Sequence, residues 1–178
     1  EIGIVIKQDI LEKQAKVAYI AIGSNLGNKK KNILATKKLI KEKKIRIIRS
    51  SKNYVTLSWP NKSKPKFINA VLKIKTTFSP LDLLKRCLKI ENQLGRIRKR
   101  RNEPRICDID IIDYNGEIIQ NSTRKSLILP HSEMHKRSFV LIPLFEICKT
   151  WTHPLKKITI KSLIKTLKKE DIRSVKLI

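Results

Sequence analysis

Apolar and polar positions alternate along the chain in short blocks. Residues 17–22 read VAYIAI, an unbroken apolar run of the length of a buried strand. The turn-rich Gly23-Ser24-Asn25-Leu26-Gly27-Asn28 ends it. Over residues 29–43 the apolar Ile33, Leu34 and Ile40 recur on one side and predict an amphipathic helix. Residues 45–50 and 67–75 predict strands, with a long Pro- and Asn-containing loop over residues 56–66 between them. Ser79-Pro80-Leu81-Asp82 marks a helix start, with Ser as the cap and Pro in the first turn. That helix is expected to show Leu84, Cys87, Leu88 and Glu91 along one stripe and to stop at Gly95. Residues 106–112 predict a further strand, and Asn115-Gly116 a tight turn into a hairpin partner at residues 117–119. A Pro130-His131 loop, an apolar stretch at 139–147 and a basic helix near 161–169 complete the pattern. Strands and helices interleave, and the hairpin demands antiparallel pairing, so the expected class is α+β.

Length and composition narrow this picture. A chain of 178 residues suits one domain able to bury its own core without disulfides or a structural metal. Residues 1–16 read as an N-terminal extension carrying Ile2, Ile4 and Ile6, and residues 17–178 as the domain. No apolar run approaches the roughly 20 residues of a membrane span, and no signal-peptide pattern opens the sequence. Cys87, Cys107 and Cys148 are an odd, widely spaced set without a CxxC pair, as expected of free thiols in a reducing, cytoplasmic compartment.

Charge adds a partner class. Lys and Arg total 41 against 15 acids, a formal net charge of +26, which suits a polyanion: nucleic acid, acidic lipid or phosphorylated ligand. The lysines are spread over nearly every exposed stretch and read as solvated background. The arginines are not: of eleven, five fall at Arg96, Arg98, Arg100, Arg101 and Arg105. A local switch from hydrated point charges to planar, bidentate guanidinium groups indicates a phosphate site.

Asp108 and Asp110 follow at once. Two apart on a strand, their carboxylates share one face while Cys107, Ile109 and Ile111 take the other. Carboxylates that close repel unless a cation lies between them, and Mg²⁺, which shares its shell with water and phosphate, suits the gap. An exposed strand face with ordinary acids would look the same, but arginines beside the pair complete the two halves of a nucleotide-phosphate site. The Gly23–Lys29 stretch misses the P-loop pattern in spacing and lacks the hydroxyl after Lys, so its glycines serve backbone turns or close approach. His131, next to Pro130 and near Arg137 and Phe139, is a candidate ligand contact; His135 and His153 read as surface residues.

Together these pieces resemble the 6-hydroxymethyl-7,8-dihydropterin pyrophosphokinase family. The resemblance rests on Ile22-Gly23-Ser24-Asn25-Leu26-Gly27, Phe67-Ile68-Asn69-Ala70-Val71, Ile90-Glu91 with Leu94-Gly95-Arg96-Ile97-Arg98, and Pro104-Arg105 with Asp108-Ile109-Asp110-Ile111. Pro130-His131 and the run from Arg137 to Ile147 extend it. It implies a ferredoxin-like α+β fold and transfer of the terminal pyrophosphate of ATP to the hydroxymethyl group of a reduced pterin, with two Mg²⁺ ions. By the same resemblance Asp108 and Asp110 are the metal ligands, and Arg96 and Arg105 act on the transferring phosphates. Thr56, Phe67, Asn69 and Phe139 then take pterin-site positions, the two aromatics sandwiching the ring. Glu91, Arg98, His131 and Arg137 take nucleotide-side positions. Departures from the family pattern fall at Asn102, where some members carry Trp, at Ser126 (Arg in some) and at Ser132 (Tyr in some).

The rival reading is a basic RNA-binding domain without catalysis. It would use the same charge, but only nine aromatics are present and no base-stacking motif stands out. The expectation is a monomeric cytoplasmic transferase with ATP and the hydroxymethyl-dihydropterin as partners, and neither a membrane nor a specific nucleic acid.

Overall fold

The structure is a computed structural model that describes residues 14–58, 61–96, 103–120 and 127–178. Strand β1 (Lys16–Ser24) leads through helix α1 (Lys29–Glu42) to strands β2 (Arg46–Ser50), β3 (Tyr54–Thr56) and β4 (Phe67–Thr76). Helix α2 (Pro80–Gln93) and strand β5 (Asp108–Tyr114) follow, then helices α3 (Ser138–Ile147), α4 (Ile160–Thr166) and α5 (Lys169–Arg173) and the short strand β6 (Lys176–Leu177). The sheet order is β5-β1-β4-β3-β6, with β2 also paired to β4 and every named pair antiparallel. With β2 and β3 taken as one interrupted edge strand, the first six elements form the βαββαβ unit of ferredoxin-like folds, as expected.

Local chemistry sets the element ends. The Asn28 side chain accepts from the Lys31 N–H at the start of α1, and Ser79 accepts from the Asp82 N–H at the start of α2. Gly95 stands just past α2 with φ +84°, a conformation that costs little only without a Cβ.

The two sheet faces divide the core. Ala18, Ile20, Ile22, Ile68, Ala70, Leu72, Ile74, Ile109 and Ile111 pack with the α1 and α2 residues Ile33, Ile40, Leu83, Cys87 and Ile90. On the other face Tyr19, Val71 and Ile112 pack with Val140, Leu141 and Leu144 of α3. A register shift beside Tyr19 and Ile20 skips Ile112. This β-bulge turns both Ile112 and Asp113 toward the α3 side. Helix α3 thus lies over the residues at one end of this face. At the other end are Gly23, Phe67, Asn69, Asp108 and Asp110.

Four expectations need correction. The buried stripe of α2 is Leu83, Cys87, Ile90 and Glu91, with Leu84 and Leu88 only half-buried, because the helix is rotated to lay Leu83 into the sheet. The Asn115-Gly116 turn forms, both residues having positive φ, but no partner strand returns from it. Ile119 bridges Leu129 instead, and β5 pairs with β1. The basic helix is two short ones, α4 and α5, and strand β6 after them has no counterpart in the apolar pattern. His153 is 2% exposed rather than a surface residue: its ring stacks edge-on with Trp151 and His135, and its Nδ1 accepts from the Lys156 N–H.

Burial and the nearby His135 and Lys156 pull the His153 imidazole down to about 4. The unfolded chain takes up this proton near pH 6.5 and the folded one only near pH 4, so stability falls as pH drops through that window. Urea unfolding at about pH 7 and about pH 5 should show a loss of roughly 2 kcal/mol from this group. His153→Gln should flatten the slope; an equal slope in both proteins would exclude His153 as its source.

Candidate active site

The uncovered end of the sheet brings the candidate side chains into one row. Asp108 pairs with Gly23, Gly23 with Asn69, and Asn69 with Tyr54, so four strands share one line and side chains from three of them project from it on either side of the glycine. Gly23 has no alternative here. A Cβ on it would come within 2.5 Å of Asn69 Oδ1 and 3.3 Å of Phe67 Cδ1. Gly27, at φ +64°, serves the turn that follows.

On the β5 side the geometry is electrostatic. Asp108 and Asp110 do share a face, while Cys107, Ile109 and Ile111 are buried behind them. Arg96 Nη1 donates to Asp108 Oδ1 at 2.6 Å, and Arg105 Nη2 donates to Asp108 Oδ2 at 2.6 Å, so both oxygens of this carboxylate hold a guanidinium. Arg96 Nη1 also donates to Glu91 Oε1 at 2.5 Å, and that oxygen accepts from the Ile109 N–H at 2.8 Å. Glu91 is therefore a buried anchor that ties α2 and β5 to Arg96. Asp110 is held more loosely. Its Oδ2 lies 3.4 Å from Arg137 Nη1 and 4.0 Å from His131 Nε2. Desolvation by the surrounding protein and the charge of Asp108 push its carboxyl above the usual range.

His131 reaches Asp110 because its N–H donates to the Ile112 carbonyl at 2.9 Å, laying the loop along β5. Its Nδ1 accepts from the Glu133 N–H at 3.2 Å, which leaves the Nε2 proton facing the carboxylate. Burial pulls this imidazole below its ordinary value, against the pull of Asp110.

On the β4 side the site is flat and less charged. Phe67 is buried beneath the Arg105 guanidinium, 5.4 Å from its ring centroid, and Phe139 at the start of α3 has Arg137 at 5.7 Å. Asn69 Nδ2 donates to Thr56 Oγ1 at 2.7 Å. Ten of the eleven described candidates thus line or border one surface, with Glu91 beneath it. Arg98, Asn102 and Ser126 lie outside the described residues.

Reading the sequence alone missed Asn25. Its Oδ1 accepts from the Arg105 N–H at 2.7 Å, its own N–H donates to the Arg105 carbonyl at 3.1 Å, and its Nδ2 donates to the Pro65 carbonyl at 3.3 Å. One buried amide thus clips the glycine loop to Arg105 and to the end of the long loop. The available signal was a polar side chain between two glycines directly after a buried strand.

With this geometry in view, relatives can be compared. A model of the 7,8-dihydro-6-hydroxymethylpterin-pyrophosphokinase family matches residues 19–149. The chain belongs to that family. The 2-amino-4-hydroxy-6-hydroxymethyldihydropteridine pyrophosphokinase of Haemophilus influenzae is 41% identical over 149 residues, which cover 83% of this chain and 91% of that protein. Its Bacillus subtilis counterpart is 37% identical over 134 residues, 75% of this chain and 78% of that one. The folic acid synthesis protein of Pneumocystis carinii is 37% identical over 160 residues, and here the chain spans only 21% of the longer protein. Among solved structures, Plasmodium falciparum HPPK-DHPS crystallised with pteroate superposes with a TM-score of 0.67 at 16% identity, over 85% of this chain and 42% of that one. That likeness supports the ferredoxin-like fold. All eleven described candidates fall within the matched residues.

Proposed function

We propose that this surface transfers pyrophosphate from ATP to 6-hydroxymethyl-7,8-dihydropterin, giving AMP and the pterin diphosphate, the reaction of the family to which the chain belongs. The observation that carries the assignment of residues is the Asp108–Asp110 pair facing Arg96, Arg105 and Arg137 across a few ångströms.

The donor set suits magnesium. Two carboxylates on one strand face, gripped by guanidinium groups and by no third acid among the described residues, leave most of a hard cation's shell to phosphate and water. Asp108 and Asp110 would hold the two ions, which supply charge neutralisation at the phosphates. Arg105 Nε is buried and has no hydrogen-bond partner among the described residues, a donor in reserve for an anion. As nucleotide enters, Arg96 and Arg105 exchange Asp108 for phosphate oxygens, to which a planar guanidinium can present two N–H groups at once. Glu91 acts at one remove by fixing Arg96. His131 and Arg137, with Arg98, complete the nucleotide side.

The pterin ring lies between Phe67 and Phe139, where flat aromatic faces suit a polar-edged heterocycle, and Asn69 and Thr56 read its rim. Its hydroxyl oxygen then attacks the β-phosphorus in line and releases its proton to water, the bond from that phosphorus to the oxygen bridging it to the α-phosphorus breaks, and AMP departs with the bonding pair. Positioning and charge stabilisation suffice for such a transfer, so no protein nucleophile is required.

All of these side chains come from one chain, which supports a working monomer. Among the described residues no helix is long and apolar enough to cross a membrane. The free thiols of Cys87, Cys107 and Cys148 support a reducing, cytoplasmic setting. The RNA-binding alternative finds no support in the relatives. The direct test is AMP release from ATP and Mg²⁺ with and without the hydroxymethyl pterin. Release that depends on pterin is expected; release without pterin, or none with it, would overturn the assignment.

A further inference from the structure

We infer that the C-terminal segment, beyond the residues matched by the family model, is a positioning element for the pterin side of the site. The inference rests on the placement of Thr56 and Asn69 proposed above.

Strand β3 is too short to hold its own position. It is three residues long, Tyr54–Thr56, and ends on the residue whose hydroxyl receives the Asn69 amide. So short a strand is poorly fixed by one neighbour. Its inner edge pairs with β4 through Tyr54–Asn69, Val55–Ile68 and Thr56–Phe67. Its outer edge pairs with β6 through Tyr54–Leu177 and Val55–Lys176, and the Ile178 N–H donates to the Asn53 carbonyl at 3.1 Å. The chain just before it is held as firmly. Both Glu146 oxygens accept from the Lys52 N–H, and Glu146 Oε2 accepts from the Tyr54 hydroxyl at 2.8 Å. Glu146 belongs to α3, the helix that carries Phe139 at its other end. A second tie reaches the far side of the loop, from Asp171 of α5 to Lys62 at 3.7 Å, but both groups are substantially exposed and this pair adds little.

The strand pairing is therefore the effective contact. It fixes β3 from outside, and β3 in turn sets the height of Thr56 against Asn69. Strand β6 lies at the opposite end of the sheet order from β5, which carries Asp108 and Asp110, so the effect is confined to the pterin side. Segment 175–178 and Tyr54 act through Thr56; they are positioning residues and not catalytic ones.

The test is a proline pair in the full chain, Lys176→Pro with Ile178→Pro, which deletes the Ile178 donor and spoils the β6 ladder without touching the core. The KM for pterin should rise about fivefold, the scale of one net hydrogen bond, while KM for ATP and kcat stay within about twofold. Tyr54→Phe, which keeps the ring and drops only the bond to Glu146, should move the pterin KM the same way by about half as much on a logarithmic scale. An unchanged pterin KM in an active protein overturns the inference, and so does an equal rise in both KM values. Failure of the wild-type protein to release AMP with pterin would overturn the proposed reaction instead, before any variant is compared.

Discussion

Asp110→Asn is expected to abolish pyrophosphate transfer, by about three orders of magnitude or more, while leaving the fold as stable as before or slightly more so. The two halves of this prediction come from one fact. Partial desolvation and the neighbouring Asp108 hold the Asp110 carboxyl above its ordinary range, but 38% of the side chain is exposed, so the fold disfavours the ionised form only slightly. An amide of the same shape relieves that cost at neutral pH and forfeits the charge that a divalent cation needs. Its own partners are distant, 3.4 Å to Arg137 and 4.0 Å to His131, so little pairing is lost. Asp108→Asn should behave differently. That carboxylate holds Arg96 and Arg105 at 2.6 Å each, and its removal leaves two guanidinium groups facing an amide. Activity and stability should then fall together. AMP release and urea unfolding on the two variants make the comparison. A tenth or more of the activity surviving in Asp110→Asn would remove this residue from the metal site, and matching stability losses would contradict the charge argument.

How much of this was legible beforehand depended on whether the deciding interaction was local. The start of α1 at Lys29, the Ser79 cap of α2, the Gly95 stop and the common face of Asp108 and Asp110 follow from spacing within a few residues, and each stands where the pattern put it. Residues 117–119 form no return strand after Asn115-Gly116 because a turn fixes direction without supplying a partner, and Ile119 bridges Leu129 instead. His153 was misjudged for a related reason. A polar residue beside a proline looks exposed until His135, from an earlier segment of the chain, packs edge-on against it beside its near neighbour Trp151. For the site, residue identities were visible and their mutual engagement was not. That Asp108 would hold two arginines, that Asn25 would clip three segments together, and that Glu91 would be buried beneath Arg96 all require strand register, which sequence spacing does not contain.

Glu91→Ala should cost the largest share of stability of any single change in the site, about 4 kcal/mol, or a melting midpoint lower by roughly 10 °C. The side chain is 2% exposed and one oxygen accepts from both Arg96 and the Ile109 N–H. Its removal takes one of two carboxylates from a largely buried guanidinium, which keeps Asp108, and leaves the Ile109 N–H unpaired, and a buried group left without its partner costs more than the contact itself was worth. The Lys38–Glu42 pair on α1 is the natural contrast. At 3.9 Å with 79% and 52% of the two side chains exposed, it should be removable by Glu42→Ala with no measurable change. Glu91→Gln keeps a carbonyl for Ile109 but offers Arg96 no charge, and should fall about midway. Pairing Glu91→Ala with Arg96→Met separates anchoring from simple packing. If the guanidinium is what the acid was holding, the double variant recovers about 1–3 kcal/mol relative to the summed single losses. Additive losses, or a cost for Glu91→Ala below about 1 kcal/mol, would mean that Arg96 is placed by something else. Catalysis should follow the same logic: Glu91→Gln frees Arg96 from one of its two anchors, so the KM for ATP rises while that for pterin holds.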